Sequence, residues 1–249
     1  MKAPRIFSVD DTKSAKAQGY GWLNAIHYMA PGSLSGVNLC PHATPACLAA
    51  CLGWTSGQAG MVKDKASTDI QGNATRASRI HKAQLFMTQR KLYMSWVVRE
   101  IEKNVLRACG EGFQGLTVRM NGSTDIAWEG IAVERNGISY RNIMEAFPSV
   151  QFIDYTKNHA RLSRKLPANY HLTLSRHEGN HDLALDAVRA GHNVAIVFNK
   201  LPATYEGLTV IDGDKHDLRH LDPRGVIVGL VPKGSAKRDT SGFVVRIAA

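Results

Sequence analysis

The chain has 249 residues, 44% of them hydrophobic, which is enough apolar material for one large α/β domain over residues 1–249. Its 31 lysines and arginines against 21 aspartates and glutamates give a formal charge of +10, a surface that attracts polyanions without selecting among them. No apolar run approaches the ~20 residues of a membrane span, and Met1-Lys2-Ala3-Pro4-Arg5 lacks the apolar stretch of a signal peptide, so no membrane association and a cytoplasmic location are expected.

Residues 1–75 are rich in Gly, Ser, Ala and Thr and poor in periodicity, so they predict a loop-rich segment. Three of the four cysteines fall in it, as Cys40, Cys47 and Cys51 in a C-x6-C-x3-C run, while Cys109 stands alone downstream. Thr44 followed by Pro45 is a helix-start signal, an N-cap hydroxyl and then a residue whose missing N–H costs nothing in the first turn. Cys47 then falls in that first turn, where the helix dipole favours a thiolate. Cys51, four residues on, is expected on the same helix face, and Cys40 folds over it from the loop of residues 31–38. Three convergent thiols point to a metal centre. Structural zinc sites use paired, more closely spaced cysteines and four ligands, whereas an iron–sulfur cubane can hang from three cysteines and leave one iron open. Zinc, and small buried thiols in a reducing compartment, stay as alternatives.

From Arg79 to Ala108, Leu85, Leu92, Trp96 and Ile101 recur at helical intervals and predict one long helix, stopped at Gly110-Glu111-Gly112. From residue 115 to 249, β-rich runs alternate with helical stretches. Leu116–Met120 precedes a helix over Ser139–Ala146, Val150–Tyr155 one over Asn158–Ser163, and Tyr170–Leu174 one over His181–Ala190; Asn193–Phe198, Leu208–Ile211 and Val226–Val231 follow. This alternation predicts an α/β fold of mostly parallel βα repeats, forming a partial or irregular barrel. No G-x-G-x-x-G follows the first of these runs, so a dinucleotide site is not expected.

Polar residues follow each of these runs, and in parallel α/β folds the carboxyl ends of strands build the active site. The candidate catalytic residues are therefore Arg119, Asn121, Asp125, Ser175, Glu178 and Asp212, with Asp154 and Lys157 on the same rim. Asn, Asp, Ser and Gly after strands also serve as turn formers, and that reading weighs most on Asp212-Gly213-Asp214. His177, His181 and His216 are candidate bases for a Ser175 nucleophile, although no G-x-S-x-G elbow is present. The basic residues are scattered, with local clusters at Arg161–Lys165 and Lys233–Arg238 and no readable nucleic-acid module, so only weak nucleic-acid association is expected.

Taken together, Asn38-Leu39-Cys40-Pro41 with Cys47 and Cys51, the run Met120 to Glu129, Asp154-Tyr155-Thr156-Lys157-Asn158 and Asp212-Gly213-Asp214 resemble the phage and plasmid gene-product-eighty-eight family, roughly from Leu39 to Val244. The resemblance implies a mobile-element origin and a cysteine-ligated iron–sulfur cluster, 4Fe–4S or 3Fe–4S, on Cys40, Cys47 and Cys51. The chain is also distantly similar to the radical S-adenosylmethionine enzymes, which pair a three-cysteine cluster with a partial βα barrel. Those enzymes typically carry C-x3-C-x2-C and a Gly-Gly-Glu-like motif, neither of which stands here. The expected function is a cluster-bearing enzyme that hydrolyses a small carboxylic ester or related small-molecule substrate at the polar rim. The alternatives are a radical S-adenosylmethionine-like enzyme and a cluster-bearing nucleic-acid-binding or sensing protein.

Overall fold

A computed structural model describes residues 3–62 and 72–247; residues 63–71 of the expected loop-rich segment, and residues 1–2 and 248–249, lie outside the described residues. The strands are β1 (Phe7–Ser8), β2 (Trp22–His27), β3 (Gly115–Arg119), β4 (Val133–Arg135), β5 (Ile138–Tyr140), β6 (Gln151–Thr156), β7 (Tyr170–Ser175), β8 (Val194–Val197), β9 (Thr204–Tyr205), β10 (Leu208–Asp212) and β11 (Ile227–Leu230). The helices are α1 (Thr12–Gln18), α2 (Pro45–Ala49), α3 (Leu52–Thr55), α4 (Ala74–Thr88), α5 (Arg90–Gly110), α6 (Ile143–Ala146) and α7 (His181–Arg189), with short 3₁₀ turns between them.

Nine strands form one sheet in the order β1-β2-β3-β6-β7-β8-β11-β10-β9, and β4 and β5 make a separate hairpin. Neighbours from β2 to β10 pair in parallel, whereas β1 and β9 join antiparallel at the two edges. The mostly parallel α/β architecture expected from the sequence is present. No closed barrel forms, because the sheet ends in the unjoined edges β1 and β9.

The order of the strands dictates where the connections run. From β2 to β8 the chain advances in one direction, and right-handed crossovers then put their connections on one face. There α5 packs on β2 and β3, and α7 packs on β8. Leu116, Val118 and Phe152 meet Phe86, Tyr93 and Val97 in the larger core, and Val194, Ile196 and Ile227 meet Ala184, Leu185 and Val188 in a second. The step from β10 back to β11 reverses direction, so the same handedness sends residues 213–226 across the opposite face. The 3₁₀ turn Arg219–Leu221 accordingly lies on β6 and β7.

Several expectations are corrected. The single helix over 79–108 is two, α4 and α5, broken at Gln89 with φ −136 and ψ 47, and α4 starts earlier, where the Asn73 side chain accepts from the Arg76 N–H at 2.9 Å. The helix expected over 139–146 forms only in its second half, as α6; Ser139 and Tyr140 belong to the β4–β5 hairpin, where Asn136 and Gly137 both take positive φ, 51 and 75, as a type I′ turn demands. Asn158–Ser163 holds no more than the 3₁₀ turn His159–Arg161. The loop-rich segment contains β2, which lies inside the sheet between β1 and β3.

One charge network ties the turn after β6 to the loop after β3 and to the start of β7. Arg161, 1% exposed in its side chain, donates from Nε and Nη2 to Glu129 at 2.9 and 2.7 Å, from Nη1 to Asp125 at 3.2 Å and from Nη2 to the Tyr170 hydroxyl at 2.9 Å. Removing one partner of a buried ion pair leaves the others as uncompensated buried charge. Arg161→Met is therefore expected to cost about 3–5 kcal/mol in urea unfolding, and a loss under 1 kcal/mol would show that the network does not hold the fold.

Candidate functional site

The strand ends after β3, β6, β7, β8, β10 and β11 surround one cavity of about 320 Å³, and the segment that joins β2 to β3 closes over it with Cys40, Cys47 and Cys51. That segment starts as predicted. The Thr44 hydroxyl caps α2 by accepting from the Cys47 N–H at 3.2 Å, with Pro45 in the first turn. Cys51, however, is not on the helix face shared with Cys47, since α2 ends at Ala49, the Ala50 N–H bonds back to Ala46 and Leu48, and Cys51 takes φ −61 and ψ 108. The chain turns there instead, and all three cysteines still reach the cavity wall.

Burial pushes the Cys40 thiol up to about 12, although the Gly32 N–H at 3.2 Å favours its thiolate. Burial likewise pushes Cys51 up to about 11, with Cys47 adding to the rise while Lys157 and Arg79 oppose it. Each sulfur would thus repel the others as thiolates, the condition that a cationic centre among them reverses. Among the described residues no group of three or more His, Cys, Asp or Glu side chains is placed to hold a single metal ion.

Arg119 ends β3 on the cavity wall, where its Nη1 donates to Asp217 at 2.8 Å and its guanidinium lies 4.7 Å from the Tyr155 ring. The Tyr155 hydroxyl in turn donates to Asp217 at 3.4 Å. Asp125 accepts from Thr156 Oγ1 and the Lys157 N–H, both at 2.8 Å, and from Arg161. Asn121 is 2% exposed and holds the loop behind the wall. Its Oδ1 accepts from Thr124 at 2.8 Å, the Ile126 N–H at 2.9 Å and Trp128 Nε1 at 3.0 Å, while its Nδ2 donates to Ile126 O and Asp154. Burial pushes Asp154 up to about 7, and the Asn121 N–H and the Tyr170 hydroxyl steady its carboxylate. Ser175, at the end of β7, lines the cavity, but no hydrogen bond among the described residues joins its hydroxyl to His177, His181 or His216.

Cys40, Cys47, Cys51, Arg119, Asn121, Asp125, Ser175, Lys157 and His216 are thus brought to one cavity, and several predicted residues are not. Asp212 is exposed and its Oδ1 accepts from the Asp214 N–H at 2.9 Å, so it serves its turn, while Gly213 and Asp214 take the place on the wall. Glu178 lies outside the wall, against Gly242. His177 accepts from the Gly179 N–H, and His181 faces a separate pocket beside Tyr205. Cys109 is exposed near the end of α5, ahead of the start of β3, and is not among the thiols that line the cavity. Sequence reasoning left Arg161 as part of a surface charge cluster and did not separate Asp217 from the polar run around it.

The cysteine segment is fastened to the rim by contact as well as by hydrogen bonds. Gly53 lies so close to the loop after β3 that a Cβ there would fall 2.2 Å from Ser123 Cβ, and Arg79 donates to the Gly53 carbonyl. Gly53→Ala must displace one of the two segments, at about 1–3 kcal/mol for such overpacking. Urea unfolding and mass-mapped alkylation test it, with Cys51 expected to react faster than in the native chain; unchanged stability and labelling would show that the contact is not tight.

No curated protein matches the chain, and no solved structure does. Among the described residues no helix is long and apolar enough to cross a membrane. A family model described as Gene product 88 matches residues 5–247, nearly the whole chain, and the protein belongs to that family.

Proposed function

We propose that Cys40, Cys47 and Cys51 hold an iron–sulfur cluster over the cavity and that the protein is an enzyme of mobile-element origin working on a small molecule beside it. The carrying observation is that three cysteines from one short segment line the same cavity as the carboxyl ends of six parallel strands. A structural zinc asks for four side-chain ligands, whereas a cubane can be held by the three cysteines that line this wall.

Of the two chemistries open to such a site, we place reductive cleavage of S-adenosylmethionine first. The cysteine segment leaves the first parallel strand, β2, and returns to its neighbour β3, and β6, β7 and β8 follow in order before β11 departs from it by lying between β8 and β10. When bound, the cluster would supply one electron at low potential. The chain's own residues do the rest. Arg119 is held at the wall by Asp217 and Tyr155, Lys157 brings a positive charge beside Cys51, and Asn121 and Asp154 fix the loop that carries Ser123 to Asp125. Hydrolysis keeps one observation in its favour, the Ser175 hydroxyl on the cavity wall. It lacks a base bonded to that hydroxyl, and both oxygens of Asp125 are already accepting hydrogen bonds.

Protein purified and reconstituted without oxygen is expected to be brown, to contain iron and acid-labile sulfide, and after reduction to release methionine and 5′-deoxyadenosine from S-adenosylmethionine. Cys47→Ala should abolish cluster and products together. Stoichiometric zinc without sulfide would overturn the cluster. Cleavage of activated carboxylic esters without reductant would move hydrolysis to first place, and salt-sensitive nucleic-acid binding with neither turnover would favour the non-enzyme reading.

A further inference from the structure

The cavity wall is uneven. Toward the cysteine segment and the ends of β3 and β6 it carries Cys40, Cys47, Cys51, Arg119, Asp125 and Lys157; toward β8, β11 and the C-terminal segment it carries Ala195, Val197, Leu230, Ala236 and Phe243, with the ion-paired Lys233 among them. Water against the apolar residues of this second stretch finds few hydrogen-bond partners, so an apolar group gains by replacing it.

The cations of the wall are not equally engaged. Arg119 is paired with Asp217 and Lys233 with Asp214. Lys157 and Arg176 have no carboxylate in ion-pair contact among the described residues. Lys157 follows β6, and its Nζ stands 5.9 Å from the Phe243 ring, at the seam between the two stretches. Arg176 follows β7 and donates from Nη1 to the Phe243 carbonyl at 3.1 Å, which holds that ring's backbone at the same seam. A half-buried cation without a carboxylate gains most from a charge-assisted bond to an anion.

We propose that the second ligand of this cavity is a small amphipathic anion, its carboxylate or phosphate head on Lys157 beside Arg176 and its hydrocarbon body against the β8–β11 stretch. The proposal rests on the cavity being the catalytic site, but binding needs no turnover and is read separately. Calorimetry of the intact protein with hexanoate, hexyl phosphate, hexanamide and acetate is the test. At least one six-carbon anion is expected to bind roughly tenfold tighter than hexanamide, for the charge, and tighter than acetate, for the hydrocarbon; the tighter of the two anions identifies the head group. Lys157→Met should weaken that anion about tenfold while hexanamide is unchanged, and Lys157→Arg should restore it. Hexanamide binding as tightly as both anions, or acetate as tightly as hexanoate, would overturn the proposal, as would an unaltered anion affinity in Lys157→Met. Absence of iron and sulfide from every preparation would instead count against the cluster and leave the binding result standing.

Discussion

The buried guanidinium of Arg161 is the constraint on which the rest of the site depends. A cation with 1% exposure is tolerable only where acceptors surround it, and here Glu129, Asp125 and the Tyr170 hydroxyl do so. Those acceptors come from the loop after β3, from the 3₁₀ turn behind it and from β7. Tyr170 passes the connection to Asp154 on β6, and Asp154 to Asn121 at the end of β3. Three neighbouring strands, β3 just past its carboxyl end, β6 at its middle and β7 at its first residue, are thereby fixed relative to one another by groups that form a single hydrogen-bonded chain, which is costly to break at any one link. The cavity wall on that side is the outer surface of this chain.

Topology accounts for the other side. Because β11 is inserted between β8 and β10, the chain must backtrack once, and handedness places the returning segment on the face that the helices leave uncovered. That segment delivers Asp217 to Arg119 and His216 to the cavity wall. The Arg119–Asp217 pair therefore joins the end of β3 to the segment that leaves β10, two strands that lie far apart in the sheet order, and both residues line the cavity.

How much of this could be read from the residues depends on how burial was encoded. The strands β3, β6, β7, β8, β10 and β11 fall within about two residues of their predicted spans, since parallel strands read as short apolar runs even where, as in β10, they are only partly covered. The strand β2 was hidden because its sequence mixes Asn24 and His27 among apolar residues, yet both are fully buried. His27 is accommodated by hydrogen bonds to the Met120 carbonyl at 3.0 Å and the Tyr93 hydroxyl at 2.6 Å, and burial pushes it down to about 3, so it packs as a neutral ring. Arg161 was hidden for the converse reason, since a basic cluster reads as a solvated face and only the partners reveal that one member turns inward. In the run from Asp212 to Asp217, the residue that serves the turn and the one that reaches the wall are chemically identical. The path of the backbone, which spacing does not contain, decides between them.

The same logic bears on the cysteines. Spacing placed Cys47 correctly because a capped first turn is a local event, and it misplaced Cys51 because the stop at Ala49 is made by backbone hydrogen bonds that leave little trace in the residue types. What brings the three sulfurs to one cavity is tertiary: Gly32 N–H on Cys40, the close seat of Gly53 on Ser123, and Arg79 on the Gly53 carbonyl. These contacts hold Cys40 and Cys51 in surroundings where burial favours the neutral thiol. A metal that binds there must expel those protons, and Lys157 and Arg79 lower that cost only in part for Cys51. The places of Cys40 and Cys51 are therefore built in advance by neutral packing, and any ligand role for them is a matter of exchanging a proton for a cation in a seat that already exists.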